Sequence, residues 1–155
     1  MYPYLVVYPK TVDDISFITQ YAKEYGKKVV ARSGGHQYSG KSSGGDDTIL
    51  VSMDYFNQVK YLGDNVVSVQ PCCKLDDVSK EFVNLQLTVP HGECPLVNIG
   101  GHTQTGGYGH LLRGFGLIID YVHDFDIVLA DGTLKTVTRP ALDSNPTTEK
   151  EKLNQ

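Results

Sequence analysis

At 155 residues, with 40% apolar and 21% charged residues, the chain is long enough for one domain with a sizeable core. A net charge of −4 gives no electrostatic footprint for DNA or RNA, which would call for a basic face. No apolar run approaches the roughly 18 residues of a membrane-spanning helix, and the three cysteines, Cys72, Cys73 and Cys94, form neither a disulfide framework nor a zinc-ligand set.

Leu5-Val6-Val7-Tyr8 predicts a short strand closed by Pro9. Thr11 predicts the N-cap of a helix, with Asp13 and Asp14 at the positive end of its dipole and Ile15, Ile18 and Ala22 on one apolar face. Gly26 ends that helix, and Val29-Val30-Ala31 is the next strand. A β-α-β start argues for an α/β or α+β domain. Ile49-Leu50-Val51 and Val66-Val67-Ser68-Val69 read as further strands, the latter entered from a turn at Gly63-Asp64-Asn65. Leu75 to Leu85 predicts a second amphipathic helix carrying Leu75, Val78, Phe82 and Leu85 on one side. Asp126 to Leu129 and Thr133 to Val137 flank Ala130-Asp131-Gly132, a hairpin signal. From Ser144 to Gln155 the pattern is polar, with no apolar face. Met1 to Tyr4 lacks the basic start of a secretory signal, and the apolar run that follows is too short for its core, so no compartment is legible from this end.

Two glycine-rich stretches carry the chemistry. The first runs Ser33-Gly34-Gly35-His36-Gln37-Tyr38-Ser39-Gly40. The second runs Gly92-Glu93-Cys94-Pro95, then Gly100-Gly101-His102, then Gly106-Gly107-Tyr108-Gly109, and reads as an extended loop. Loops without Cβ atoms expose consecutive N–H groups, which bind phosphate oxygens without Lys or Arg. Neither stretch has the spacing of a Rossmann or P-loop fingerprint, and taken singly either one also reads as a set of tight turns. His36 and Cys94 each lie inside such a stretch, where a ligand can approach closely. The plain alternatives are a solvated histidine and a small packed thiol.

Arg32-Ser33-Gly34-Gly35-His36 followed by Tyr38, Gly92-Glu93-Cys94-Pro95-Leu96-Val97, Gly100-Gly101-His102 and Gly106-Gly107-Tyr108-Gly109 together resemble the berberine-bridge-enzyme-like flavoproteins. That group lies within the vanillyl-alcohol-oxidase class of FAD-binding domains, whose hairpin Val128-Leu129-Ala130-Asp131-Gly132 resembles as well. The resemblance spans residues 3–138, with a polar tail at 139–155. It implies an α+β, PCMH-type FAD-binding domain: a small β-α-β subdomain and a second, mixed α/β subdomain. It implies FAD bonded to His36 through the 8-alpha methyl and to Cys94 through C6. The surrounding Arg32 to Ser39, Gly100 to His102, Gly106 to Gly109 and Val128 would complete the cofactor site. The implied parent reaction is hydride transfer to FAD from an alcohol, hemiacetal or amine carbon of a sugar, alcohol or alkaloid-like small molecule. A secreted or extracellular parent is compatible with it.

Two departures bear on that reading. Thr105 stands where the family often has glycine, and Cys72-Cys73 where Gly-Ala is common; adjacent cysteines pair poorly and read as two packed thiols. The family continues into a substrate-binding half that supplies its catalytic base, so the chain reads as truncated and no base is nominated among its ten tyrosines. The competing expectation is a flavin-binding or interaction module without turnover. A weaker one is a non-covalent nucleotide binder, which would release its flavin on denaturation.

Overall fold

The computed structural model describes residues 2–140; the end of the polar tail, 141–155, lies outside them. The chain opens with strand β1 (Leu5–Val7), helix α1 (Val12–Glu24) and strand β2 (Lys28–Arg32), and strand β3 (Thr48–Ser52) follows. The three strands make an all-parallel sheet in the order β1-β3-β2, with Val6 and Val30 both opposite Leu50. The strand that comes last in sequence is therefore central. All five of its residues are buried. A parallel strand covered on both faces has no solvent side to mark with polar residues, which explains the unbroken run Ile49-Leu50-Val51.

Helix α1 starts where the Thr11 hydroxyl accepts the Asp14 amide at 3.2 Å and the Asp14 carboxylate accepts the Thr11 amide at 2.9 Å. This is a reciprocal capping box with Asp in the place of Glu or Gln. The Lys10 and Thr11 amides hold the Asp14 carboxyl below its ordinary pKa. Ala22 is the buried residue of α1, a small side chain that lets the helix approach the sheet.

Strands β4 (Val59–Gly63) and β5 (Val66–Val69) form a hairpin around Asp64 and Asn65, both left-handed at φ 50 and 61°. Two such residues are what a tight type I′ turn demands. The turn was legible in the sequence, but β4 was not. Helix α2 (Leu75–Asn84) matches expectation and buries Leu75 and Val78. The second glycine stretch departs from it. Ile99–Gln104 is a helix, α3, despite Gly100 and Gly101; a further short helix, α4, spans Leu112–Phe115, and a 3-10 turn spans Ile118–Tyr121. The last hairpin pairs β6 (Asp124–Val128) with β7 (Leu134–Thr138). Its turn meets α1, because a Cβ on Gly132 would lie 2.7 Å from the Gln20 side chain. Its open end is held by Arg139, which donates to the Asp120 carbonyl at 2.6 Å.

Candidate cofactor site between two glycine-rich segments

Strand β2 ends where Arg32 pairs with Ser52, and the Met53 amide takes the Arg32 carbonyl at 2.9 Å. Beyond that point the chain leaves the sheet and its amides lose their partners. Among the described residues, only the Gly40 amide of the 33–40 segment finds a protein acceptor, the Gln37 carbonyl at 3.1 Å. Gly35 is left-handed at φ 70°. Such a residue turns successive N–H groups toward one side, the geometry of an anion nest. The Arg32 side chain runs beneath it, its Cδ 3.2 Å from where a Gly35 Cβ would stand. Gln37, Tyr38 and Ser39 are exposed.

The segment around Cys94 is held by its carbonyls. The Cys94 carbonyl accepts from Val97 N at 3.2 Å, Pro95 from Asp76 N at 3.1 Å, and Val97 from Leu75 N at 2.9 Å. The last two bonds cap α2, whose N-cap residue Lys74 offers no side-chain acceptor. The fourth carbonyl, Leu96 O, lies 3.1 Å from His36 Nε2. With every carbonyl from 94 to 97 engaged, the backbone is fixed while the Cys94 thiol stays free and exposed.

That fourth bond joins the two segments. A carbonyl can only accept, so His36 Nε2 carries a proton, which in the neutral imidazole leaves the lone pair on Nδ1. Two more contacts run alongside. A Cβ on Gly34 would stand 2.6 Å from His36 Cδ2 and 2.8 Å from Asn98 Oδ1, and one on Gly101 would lie 3.9 Å from Ser33 Oγ. The structure thus brings Ser33, Gly34 and His36 against Leu96, Asn98 and Gly101.

The remaining expected site residues have other neighbours. The Gly106 and Gly107 carbonyls accept from Ile119 N at 3.2 Å and Ile118 N at 3.1 Å. Gly109 packs so tightly on the His91 carbonyl that any Cβ there would collide with backbone. Tyr108 is exposed. Among the described residues the His102 ring makes one hydrogen bond, its Nε2 accepting from Gly92 N at 2.9 Å. Burial, and secondarily His91, keep the His102 pKa below its ordinary value and so favour that acceptor form. Gly100 donates its amide to Pro71 O at 3.0 Å. Val128 is half-buried opposite Leu134, at the turn end of the hairpin beside α1.

Leu96 and Asn98 were not anticipated. Leu96 acts through its backbone and leaves no side-chain signal. Asn98 left one: a lone amide between Val97 and Ile99, two residues before the Gly-Gly pair.

These features fit a ring cofactor that carries phosphate. Amides without protein acceptors suit anionic oxygens, and an imidazole and a thiol stand exposed on adjoining, hydrogen-bonded segments. Among the described residues no cluster of His, Cys, Asp or Glu is arranged to hold a metal ion, and no helix is long and apolar enough to cross a membrane.

The fold and these two segments define a PCMH-type flavoprotein domain. The profile of the FAD binding domain family matches residues 3–138, and the chain belongs to that family. It is similar to the chitooligosaccharide oxidase of Gibberella zeae, 33% identical over 132 residues, which cover 84% of this chain and 27% of that protein. It is similar to berberine bridge enzyme-like 12 of Arabidopsis thaliana, 35% identical over 141 residues covering 85% and 26%. Among solved structures, it superposes at a TM-score of 0.83 and 29% identity on the glucooligosaccharide oxidase of Acremonium strictum, described with a 6-S-cysteinyl, 8 alpha-N1-histidyl FAD; the match covers 88% of this chain and 29% of that one. The chain thus spans little more than a quarter of the length of the relatives it matches.

Proposed function

We propose that this chain holds FAD by two covalent bonds, from His36 and from Cys94, within an oxidoreductase acting on an alcohol, hemiacetal or amine carbon of a sugar or alkaloid-like molecule. The single observation that carries this reading is the His36 Nε2 to Leu96 carbonyl bond. It places the histidine against the segment that presents Cys94 and leaves Nδ1 as the nitrogen free to bond carbon. The amides of Ser33 to Ser39 take the pyrophosphate, and Arg32, beneath Gly35, supports the segment that presents them. The fixed carbonyls from 94 to 97 keep the thiol where the ring needs it. The flavin would supply the hydride acceptor when bound, and the chain's residues would hold and orient it. The small-molecule substrates are those that the names of the relatives suggest, and sugars stand first among them.

Acid precipitation of the flavin-loaded protein tests this. Flavin absorbance should stay with the precipitate for the wild type and for His36→Ala and Cys94→Ala singly, because either bond suffices to retain it. The His36→Ala/Cys94→Ala double variant should release all of it. Release from the wild type would sink the covalent reading.

A further inference from the structure

We propose that Asn98 is a cofactor-binding residue whose Oδ1 accepts a hydrogen bond from a hydroxyl of the ribityl chain. The inference rests on the FAD reading above and adds a contact that the two tethers and the amide nest do not supply. Asn98 is 8% exposed, and its amide is oriented by its neighbours. Nδ2 donates to the Cys72 carbonyl at 2.8 Å and to Cys72 Sγ at 3.2 Å. A carbonyl has no proton to give, so the atom facing Cys72 must be the nitrogen, and the oxygen must face the other way.

That oxygen has no donor among the described residues. Nor is it sealed in: the one fully enclosed side-chain oxygen or nitrogen without a partner among the described residues is Ser42 Oγ. Asn98 Oδ1 therefore opens onto space that a ligand can reach. Its location is given by Gly34, whose absent Cβ would stand 2.8 Å from it and 2.6 Å from His36 Cδ2. Asn98 Oδ1 and the His36 imidazole flank one point on the floor of the first segment.

The chemistry selects the partner. An amide oxygen is acceptor-only and repels phosphate oxygens, so the amides of the nest and Asn98 take different parts of the ligand. His36 holds the ring edge, and the nest holds the pyrophosphate. The part of FAD between ring and pyrophosphate is a polyol, and its hydroxyls are the donors that an acceptor beside His36 meets.

Equilibrium titration decides it, in the His36→Ala/Cys94→Ala chain so that binding is reversible. The probes are FAD, its 2′-, 3′- and 4′-deoxyribityl analogues, a deoxyribose analogue and ADP. One deoxyribityl analogue should bind about tenfold more weakly than FAD, the loss of one buried hydrogen bond. Adding Asn98→Ala should erase that difference and leave ADP affinity unchanged, which shows the nest still folded. Cys72→Ala, which spares the Nδ2 bond to the Cys72 carbonyl, should keep the discrimination. The proposal is overturned if every deoxyribityl analogue binds like FAD, if Asn98→Ala still discriminates, or if only the deoxyribose analogue loses affinity. Failure to bind FAD at all, with or without Asn98, sinks the FAD reading itself and is seen separately from those outcomes.

Discussion

Within the second glycine stretch, two residues of the same type serve opposite ends. At Gly109 the His91 carbonyl fills the space of a side chain, and backbone cannot swing aside as a flexible side chain would. Gly101 meets nothing nearer than Ser33 Oγ at 3.9 Å, and it sits inside α3. Alanine should separate them. Gly109→Ala should lower stability by about 1–3 kcal/mol, the usual cost of overpacking. Gly101→Ala should leave stability unchanged or raise it by up to about 1 kcal/mol, because glycine in a helix is the poorer choice. Its methyl faces the first segment, so it should weaken FAD binding. Urea unfolding and FAD titration of the two variants check this; equal loss of stability in both would contradict the assignment of Gly101 to the cleft.

Elements α2 and α3 are joined by side chains rather than by sheet pairing. Ser79 on α2 donates to the Leu75 carbonyl at 2.7 Å and lies 2.9 Å from His91 Nε2. His91 Nδ1 lies 2.7 Å from the Gly92 carbonyl, while the Gly92 amide donates to His102 on α3. His102 must be neutral to accept, and burial holds its pKa below the ordinary 6.5. The unfolded chain therefore binds its proton first. The stability His102 contributes is complete above about pH 6.5 and is lost as pH falls below that toward its depressed folded value. The urea midpoint should drop between pH 7.5 and 5.5. His102→Gln, which keeps an acceptor but cannot titrate, should flatten that part of the profile. Little of this was readable beforehand. The α1 cap was, because Thr11 and Asp14 are neighbours in sequence and make their own bonds. The two segments and their His36 and Cys94 were legible as well, since glycine runs and reactive side chains are visible one residue at a time. Helix α3 was not, because a Gly-Gly pair argues for a loop. It forms because Ile99 and Gly100 donate to the Cys73 and Pro71 carbonyls at 2.9 and 3.0 Å, contacts that only the tertiary fold supplies. Asn98 stayed hidden for the same reason: its role lies in the direction its oxygen faces.

In the molecule as a whole, nine apolar side chains are buried among the described residues, and the large apolar side chains left exposed outnumber them. Leu112, Phe115, Ile119, Phe125, Ile127 and Leu134, all exposed, fall between α4 and β7 in the chain. Monomers seldom leave contiguous apolar patches beyond a few hundred Å². The chain in isolation should therefore bind an apolar fluorescent dye and elute from gel filtration at an apparent mass that rises with concentration. A monomer at all concentrations, dark to the dye, would mean that this surface is broken into harmless pieces. The order β1-β3-β2 has a consequence in time as well. Strands β1 and β2 have no neighbour to pair with until β3 arrives between them, and the chain linking β2 to β3 is the one that carries the amide nest. The nest and the sheet share one connection, so a ligand that grips the nest would also steady the pairing of β2 with β3. Saturating FAD should slow hydrogen exchange at Leu50 and Val51, inside the sheet, as much as at the nest itself. A cofactor held there would act as a clasp on the three-stranded sheet, tying together two edge strands that meet only through β3.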